Sequence, residues 1–262
     1  MSPLVHLVGA GPGDPELLTL KAVRILGQAD VVMVDDLVNP AILEHCPQAQ
    51  LVRVGKRGGC RSTPQVFINR LMLRYARQGK RLVRLKGGDP CIFGRAGEEA
   101  QWLAERGIAS ETVNGITAGL AAATQCGIPL TLRGTSRGVT LVTAHTRDDS
   151  DLNWHGLTQG GTTLVVYMGV ARLQQIQQGL LKSGMPASTP IAMIERASLP
   201  DQRQHACILA DLCSQAASFG LKSPAVLVIG DVVAASIMLA GTAPVASLAQ
   251  HIDGAENLSI SA

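Results

Sequence analysis

Two glycine-rich turns follow short apolar segments, and each is followed directly by an aspartate and a proline. The first lies in "LVGAGPGDPELL" (residues 7–18) and the second in "RLKGGDPCIFGRAGEE" (residues 84–99). Glycine has no Cβ, so such turns let the backbone approach a ligand closely. Both turns come at the carboxyl ends of predicted strands, where α/β sheets bind ligands. We therefore predict that they face one binding crevice.

The first turn departs from the dinucleotide-binding fingerprint. The pattern G-x-G-x-x-G starting at Gly9 requires glycine at position 14, and the chain has Asp14 there. A carboxylate at this point would face a pyrophosphate unfavourably. A nicotinamide oxidoreductase is therefore disfavoured, whereas a neutral or cationic adenosyl ligand stays compatible. A purely structural strand–helix turn is the alternative.

The elements that would position these turns are short strands alternating with helices. Apolar, β-branched runs predict strands over 4–8, 30–34, 51–54, 81–85, 139–143, 163–168, 190–194 and 225–230. Asp14 and Gly27 mark the start and end of the first predicted helix, and further helices are predicted over 65–78, 95–106 and 170–183. This alternation indicates an α/β protein with largely parallel or mixed sheets.

A break in the pattern near "ETVNGITAG" divides the chain. It predicts an N-terminal α/β domain over 1–113 and a C-terminal α/β domain over 114–240. Periodicity is lost from Gly241 onward, which predicts a flexible tail over 241–262.

Composition narrows the function classes. The chain of 262 residues is 46% hydrophobic, carries a net charge of +3, and has no apolar run of the ~18 residues that cross a bilayer. Two Trp, two Tyr and three Phe are few for nucleic-acid binding, so neither a membrane nor a nucleic acid is an expected partner. Six scattered cysteines with no C-x-x-C pair predict reduced thiols rather than a metal site or disulfides. Cytoplasmic residence is the expectation.

Six motifs occur in order between about Val5 and Val233: "VGAGPGDPELLTL", "VGKRGG", "RLKGGDPCIFGRAGEE", "GITAG", "GIPLT" and "YMG". Together they resemble the tetrapyrrole methylase family. The resemblance implies a homodimer of two-domain α/β chains, with S-adenosylmethionine in the cleft between domains and S-adenosylhomocysteine as product. It implies no metal. The long "RLKGGDP" form resembles members that methylate uroporphyrinogen III twice to give precorrin-2.

The resemblance also implies roles for individual residues. The cofactor contacts are expected at Pro12, Gly87, Gly88, Asp89, Ile92, Thr117, Ala118, Met168 and Ala197. Asp35 matches the family's proposed proton acceptor and Lys56 its proposed proton donor. From composition alone, Met168 could instead be a core residue, Asp35 a loop carboxylate and Lys56 a solvated lysine.

The substrate of such an enzyme is a reduced macrocycle with eight carboxylates, which calls for cationic side chains. We expect Arg95 and Arg133 to bind carboxylates, Glu98 to hold Arg95, and His145 to hydrogen-bond the macrocycle or move a proton. A structural role for His145 is the alternative. Several positions depart from the family pattern, namely Cys91, Asn114, Leu132, Gly134 and Ala144.

Two further functions stay open from the sequence. One is a methylase acting on a later corrin intermediate, against which the "KGGDP" motif argues. The other is a non-catalytic protein that binds adenosylmethionine or a tetrapyrrole, as a sensor or carrier. Binding without turnover would distinguish this second alternative from an enzyme.

Overall fold

The structure is a computed structural model that describes residues 4–55, 63–145 and 152–236. The chain divides into two compact units at Ala118–Gly119, and the sequence pattern predicts the boundary at residues 113–114. The predicted tail over 241–262 lies outside the described residues.

The first unit is built on a five-stranded sheet in the order β3-β2-β4-β1-β5. Its strands are β1 (Leu4–Gly9), β2 (Val31–Val34), β3 (Gln50–Arg53), β4 (Leu82–Lys86) and β5 (Ala109–Val113). All neighbouring strands run parallel. Strand β2 is buried along its whole length, and its sequence is accordingly apolar throughout. Strand β4 is equally buried but carries Arg84 and Lys86.

Three helices pack on the faces of this sheet: α1 (Leu20–Leu26), α2 (Gln65–Arg77) and α3 (Ala96–Ala104). The first predicted helix is in two pieces, because a second N-cap interrupts it. Asp14 caps a 3-10 turn over Pro15–Leu17, where its Oδ1 accepts a 2.9 Å hydrogen bond from the Glu16 N–H. Thr19 then caps α1 through its Oγ1, which accepts from the Ala22 N–H at 3.2 Å.

The second unit is also built on a five-stranded sheet, in the order β6-β7-β10-β8-β9. After α4 (Ala118–Gln125), its strands are β6 (Val139–Thr143), β7 (Thr163–Tyr167), β8 (Pro190–Glu195), β9 (Arg203–Ile208) and β10 (Ala225–Ile229). Its helices are α5 (Trp154–Gln159), α6 (Leu173–Lys182) and α7 (Leu212–Phe219).

The second sheet is mixed, and a single chain reversal explains why. Strands joined through helices run in the same direction, as the parallel pairing of β6 with β7 shows. The β8–β9 connection has no helix, so β9 pairs antiparallel to β8. Strand β10 follows β9 through α7 and therefore runs antiparallel to both of its neighbours, β7 and β8.

Each sheet forms its own apolar core. In the first unit, β4 separates two clusters, with Val83 and Leu85 packed toward α1 and Leu82 toward α2 and α3. In the second unit, Leu164, Met193 and Leu227 belong to one cluster with α6 and α7. Within the described part of the chain, no helix is long and apolar enough to cross a membrane.

His6 on β1 makes the stability of the first unit depend on pH. Its Nε2 lies 3.3 Å from Glu111 Oε2, and Glu111 also pairs with Lys21 at 2.5 Å. Burial is the main cause that lowers the pKa of His6 below 6.5, with a smaller opposing effect of Glu111. The unfolded chain therefore takes up the proton first as the pH falls, so the free energy of unfolding decreases below about pH 6.5.

We expect His6→Gln to remove this loss, because glutamine does not titrate. Urea unfolding of both proteins at about pH 7.5 and about pH 5.5 measures the effect. The wild-type protein should lose more stability than the variant between these two values. An equal loss in both proteins would show that His6 has the same pKa folded and unfolded.

Candidate functional site

The two glycine turns lie side by side at the carboxyl ends of β1 and β4. The Gly11 N–H donates to Gly88 O at 3.2 Å, and the Gly88 N–H donates to Gly11 O at 2.7 Å. The Ala10 N–H adds a third hydrogen bond, to Lys86 O at 2.7 Å. The fold thus brings together two motifs that are far apart in sequence.

Glycine is required where these turns meet the end of β5. A Cβ added to Gly9 would lie 2.6 Å from Gly115 N and 2.7 Å from Gly88 O. A Cβ on Gly115 would overlap Gly88 O in the same way. Gly88 itself has φ +67°, a left-handed conformation that favours glycine. We call Gly9, Gly88 and Gly115 the glycine crossing.

Replacing Gly9 by alanine should destabilise the first unit by about 1–3 kcal/mol, because two backbones would have to move apart. The matched control is Gly97→Ala in α3, where an added Cβ meets nothing within 4 Å. That control should stabilise the protein by up to about 1 kcal/mol, since alanine favours helix. Urea unfolding measures both variants, and a Gly9→Ala protein as stable as wild type would contradict the close packing.

Asp89 connects the turn after β4 to the chain after β5. Its side chain is 7% exposed. Oδ1 accepts a 2.8 Å hydrogen bond from the Cys91 N–H, and Oδ2 accepts from the Gly115 N–H at 3.1 Å. Asn114, one of the departures from the family pattern, adds a donor to Oδ2 at 3.5 Å. The carboxylate of Asp89 is therefore used within the protein, to hold the glycine crossing together.

Other residues predicted to contact the cofactor surround this point in the first unit. Pro12 and Ile92 are half-buried, and Thr117 is buried. Thr117 Cα and Ala118 N are the atoms nearest to a Cβ built on Gly88, at 3.7 and 3.8 Å. Gly87 packs against Leu37, whose Cβ would lie 3.0 Å from a Cβ at residue 87.

Two predicted cofactor contacts belong to the second unit. Met168 directly follows β7 and is 49% exposed. Ala197 follows β8 and is 8% exposed. The Ala197 segment is held by its neighbours, because the Ser198 N–H donates to Gln202 Oε1 at 2.7 Å and Arg196 pairs with Asp201 at 2.7 Å.

Residues with left-handed backbone conformations lie at or next to the positions that are predicted to contact a ligand. Among the described residues, five that are not glycine have positive φ: Phe93, Arg95, Met168, Arg196 and Ser198. Each is a predicted ligand-contacting residue or the sequence neighbour of one. Such conformations are unfavourable for residues with a Cβ, and they cluster at ligand sites. The sequence carries no signal for them.

Asp35 lies at the carboxyl end of β2. Its N–H donates to Leu85 O at 3.1 Å, which continues the pairing of β2 with β4. Its side chain is 36% exposed, and Arg84 Nη2 lies 3.3 Å from Oδ2. The strand end therefore presents a carboxylate that reaches solvent on one side and a buried cation on the other. Lys56, the predicted proton donor, lies outside the described residues.

The predicted substrate-binding side chains are largely exposed. Arg95 and Glu98 form a two-point pair, with Nε–Oε1 at 3.0 Å and Nη2–Oε2 at 2.6 Å. Arg133 occupies an exposed turn closed by hydrogen bonds between Leu132 and Ser136. Gly134 has φ +83° there, so the turn geometry favours the glycine that departs from the family pattern. His145 is exposed at the end of β6.

The sequence reasoning missed three buried charged residues beside Asp35. Arg84, Lys86 and Glu99 are 2%, 4% and 0% exposed. Burial and the neighbouring Arg84 lower the pKa of Lys86, while Glu99 and Asp35 oppose that shift. The alternation of charged with apolar residues in "RLVRLK" is the signal that could have indicated them. We call Arg84, Lys86 and Glu99 the buried charge cluster.

The described cysteines are free thiols. Burial raises the pKa of Cys126 to about 11, and burial together with Asp211 raises that of Cys207 to about 12. These thiols are therefore protonated and weakly nucleophilic at neutral pH. Over the part of the chain that the structure describes, no three His, Cys, Asp or Glu residues are grouped so as to hold a metal ion.

The two-sheet α/β fold and the sequence motifs both point to one protein family. The family model of tetrapyrrole (corrin/porphyrin) methylases matches residues 4–213. The chain belongs to this family.

Its similarity to individual members is high. It is 74% identical over 232 residues to a uroporphyrinogen-III C-methyltransferase of Pseudomonas aeruginosa, a match that covers 88% of this chain and 95% of that protein. It is 65% identical over 247 residues to the enzyme of the same name from Pseudomonas fluorescens, covering 93% of this chain and 100% of the relative.

A solved structure shows the same fold. It is that of a uroporphyrin-III C-methyl transferase from Thermus thermophilus complexed with S-adenyl homocysteine. The two proteins are 40% identical with a TM-score of 0.76, and the match covers 87% of this chain and 92% of the other.

Proposed function

We propose that this protein is an S-adenosylmethionine-dependent C-methyltransferase that converts uroporphyrinogen III to precorrin-2 by two successive methyl transfers. The observation that carries the proposal is the glycine crossing closed by Asp89, found in a chain 74% identical to a relative of that name. S-adenosylhomocysteine is the expected second product.

The glycine crossing of the first unit is the proposed position of the adenosyl ligand. Backbones meet there without side chains, which leaves peptide groups able to approach a bound molecule. In this proposal Gly87 and Gly88 contact S-adenosylmethionine through the backbone, while Asp89 holds the turn in shape. The remaining contacts are Pro12, Ile92, Thr117 and Ala118 in the first unit and Met168 and Ala197 in the second. The bound cofactor supplies the electrophilic methyl group on its sulfonium.

Asp35 is the proposed proton acceptor. When a pyrrole carbon gains a methyl group, positive charge develops on the macrocycle and a ring proton must leave. A carboxylate that reaches solvent at a strand end can stabilise that charge and take the proton. Arg84 Nη2, 3.3 Å from Asp35 Oδ2, holds this carboxylate at the end of the strand. Lys56 is the proposed proton donor.

Arg95 and Arg133 are the proposed partners of the substrate's carboxylates, and His145 is proposed to hydrogen-bond the macrocycle or move a proton. The guanidinium of Arg95 is already paired with Glu98, and both side chains are more than half exposed. An exposed pair of this kind is worth little, about 0–1 kcal/mol, so a substrate carboxylate can share or replace Glu98. In this way Glu98 holds the arginine extended until the substrate arrives.

We also propose that the protein is a cytoplasmic homodimer, which is the assembly that the family resemblance implies. Light scattering coupled to size exclusion would give twice the mass of the 27.4 kDa chain. A single-chain mass would refute the dimer without affecting the proposed reaction. Fractionation of the producing cells would test the compartment.

The function is tested by anaerobic incubation with enzymatically generated uroporphyrinogen III and labelled S-adenosylmethionine, followed by mass analysis of the tetrapyrrole. Gain of two methyl groups is the expected result. A single methyl group would refute the double transfer. No transfer, with S-adenosylmethionine binding shown separately by calorimetry, would instead favour another tetrapyrrole substrate or a binding protein.

A further inference from the structure

The buried charge cluster occupies a place where the pattern of the fold calls for apolar side chains. Arg84 and Lys86 lie on the same face of β4 as Leu82, which packs toward α2 and α3. Glu99 is on the buried stripe of α3, between Ala96 and Leu103. Charged groups are rarely buried unless they are paired, because removing them from water is costly.

Pairing within the cluster is extensive but unequal. Glu99 accepts from Lys86 Nζ at 3.3 and 3.2 Å and from Arg84 Nε at 3.3 Å. Gln65 of α2 donates to the same carboxylate at 2.8 Å. Two cations thus share one buried anion, which leaves one positive charge without a matching buried negative charge. Asp35, 3.3 Å from Arg84 Nη2, provides that second negative charge.

The guanidinium of Arg84 connects the two carboxylates. Its Nε faces Glu99, its Nη2 faces Asp35, and its Nη1 lies 3.5 Å from Met33 O and 3.4 Å from Leu85 O. Because the guanidinium is rigid and planar, fixing Nε on Glu99 also fixes the direction in which Nη2 points. The position of the Asp35 carboxylate therefore depends on a glutamate that does not touch it.

We propose that Glu99 is a positioning residue for Asp35, acting through the guanidinium of Arg84. The inference rests on the proposed function, in which Asp35 accepts the proton. Glu99 and Lys86 keep Arg84 extended along the β4 face, and Arg84 holds the Asp35 carboxylate at the end of β2. Loss of Glu99 frees Arg84 to pair with Asp35 in other geometries, which displaces the proton acceptor.

The decisive experiment compares Glu99→Gln, Asp35→Asn and the double variant in single-turnover methyl transfer to uroporphyrinogen III. We expect Glu99→Gln to lower the single-turnover rate constant of methyl transfer by at least about tenfold, with the Kd for S-adenosylmethionine changed by less than about threefold. In the Asp35→Asn background the same change should have almost no further effect, because the two residues act through one group. A purely structural role would lower the rate by the same factor in both backgrounds.

Glu105→Gln is the matched control, because Glu105 lies at the C-terminal end of the same helix, is exposed, and contacts Gln101 and Arg106 on the helix surface. It should leave the single-turnover rate constant unchanged. If Glu99→Gln does not fold, Arg84→Lys replaces it: the variant keeps the positive charge but lacks the fork that reaches both carboxylates. We expect the same loss of the single-turnover rate constant and the same lack of effect in the Asp35→Asn background.

The outcomes separate this inference from the proposed function. Normal turnover by Glu99→Gln, or an equal loss in both backgrounds, overturns the positioning role while Asp35 keeps its own. Normal turnover by Asp35→Asn overturns the proton-acceptor role, and the positioning role with it. Absence of methyl transfer by the wild-type protein overturns the proposed reaction itself.

Discussion

Replacing Asp89 by alanine should reduce the affinity for S-adenosylmethionine by about a hundredfold or more. The buried carboxylate accepts from the Cys91 and Gly115 N–H groups, and alanine leaves both donors without a partner. Each such loss costs about 1–3 kcal/mol. Because these two bonds close the glycine crossing, the loss falls on the backbone that we propose for cofactor binding. Calorimetric titration and urea unfolding of the same samples measure the two effects.

Two variants make this result specific. Asp89→Asn keeps one carbonyl oxygen as an acceptor, so its affinity and stability should lie between those of wild type and Asp89→Ala. Asp231→Ala removes an exposed aspartate from the second unit and should change neither quantity. Unchanged S-adenosylmethionine binding by a destabilised Asp89→Ala protein would show that the glycine crossing does not bind the cofactor.

Asp35→Asn should lower the rate of methyl transfer by about 10²–10⁴-fold, the usual contribution of a general base. Asparagine has nearly the same shape but cannot take a proton. S-adenosylmethionine binding should change by less than about threefold, because the variant leaves the glycine crossing intact. The rate is measured by mass analysis of the tetrapyrrole under anaerobic, single-turnover conditions.

Asp36→Asn is the natural comparison, since Asp36 is the next residue and packs against Gly55. It should retain most of the activity. A severe loss in Asp36→Asn with normal turnover in Asp35→Asn would move the proton acceptor to the neighbouring residue. A loss of S-adenosylmethionine binding in Asp35→Asn would show that this carboxylate serves the cofactor rather than the macrocycle.

The strands predicted from apolar runs are all present, whereas two strands without such runs were missed. These are β5 ("ASETV") and β9 ("RQHACI"), which lie at sheet edges and are only partly buried. The edge strands β3 and β6 were found because their sequences still contain apolar, β-branched runs, whereas β5 and β9 are largely polar over their first residues and contain no such run. Missing β9 also hid the chain reversal that makes the second sheet mixed.

The candidate site also combines features that the local sequence determines with features that it does not. The sequence by itself determined the local features: the strand–turn–helix order, the N-cap at Asp14, the glycines of both turns and the family motifs. These depend on residues close together in the chain, whose conformational preferences act locally.

Only the tertiary structure decided which of these features meet. Arg84 contacts Asp35 across 49 positions of sequence, and the Gly115 N–H reaches Asp89 across 26. The sheet order β3-β2-β4-β1-β5 places β4 between β2 and β1, so its end lies beside both Asp35 and the first glycine turn. Strand order is fixed by the packing of the whole unit, and for that reason the contact partners of Asp89 and of Arg84 could not be predicted from local sequence.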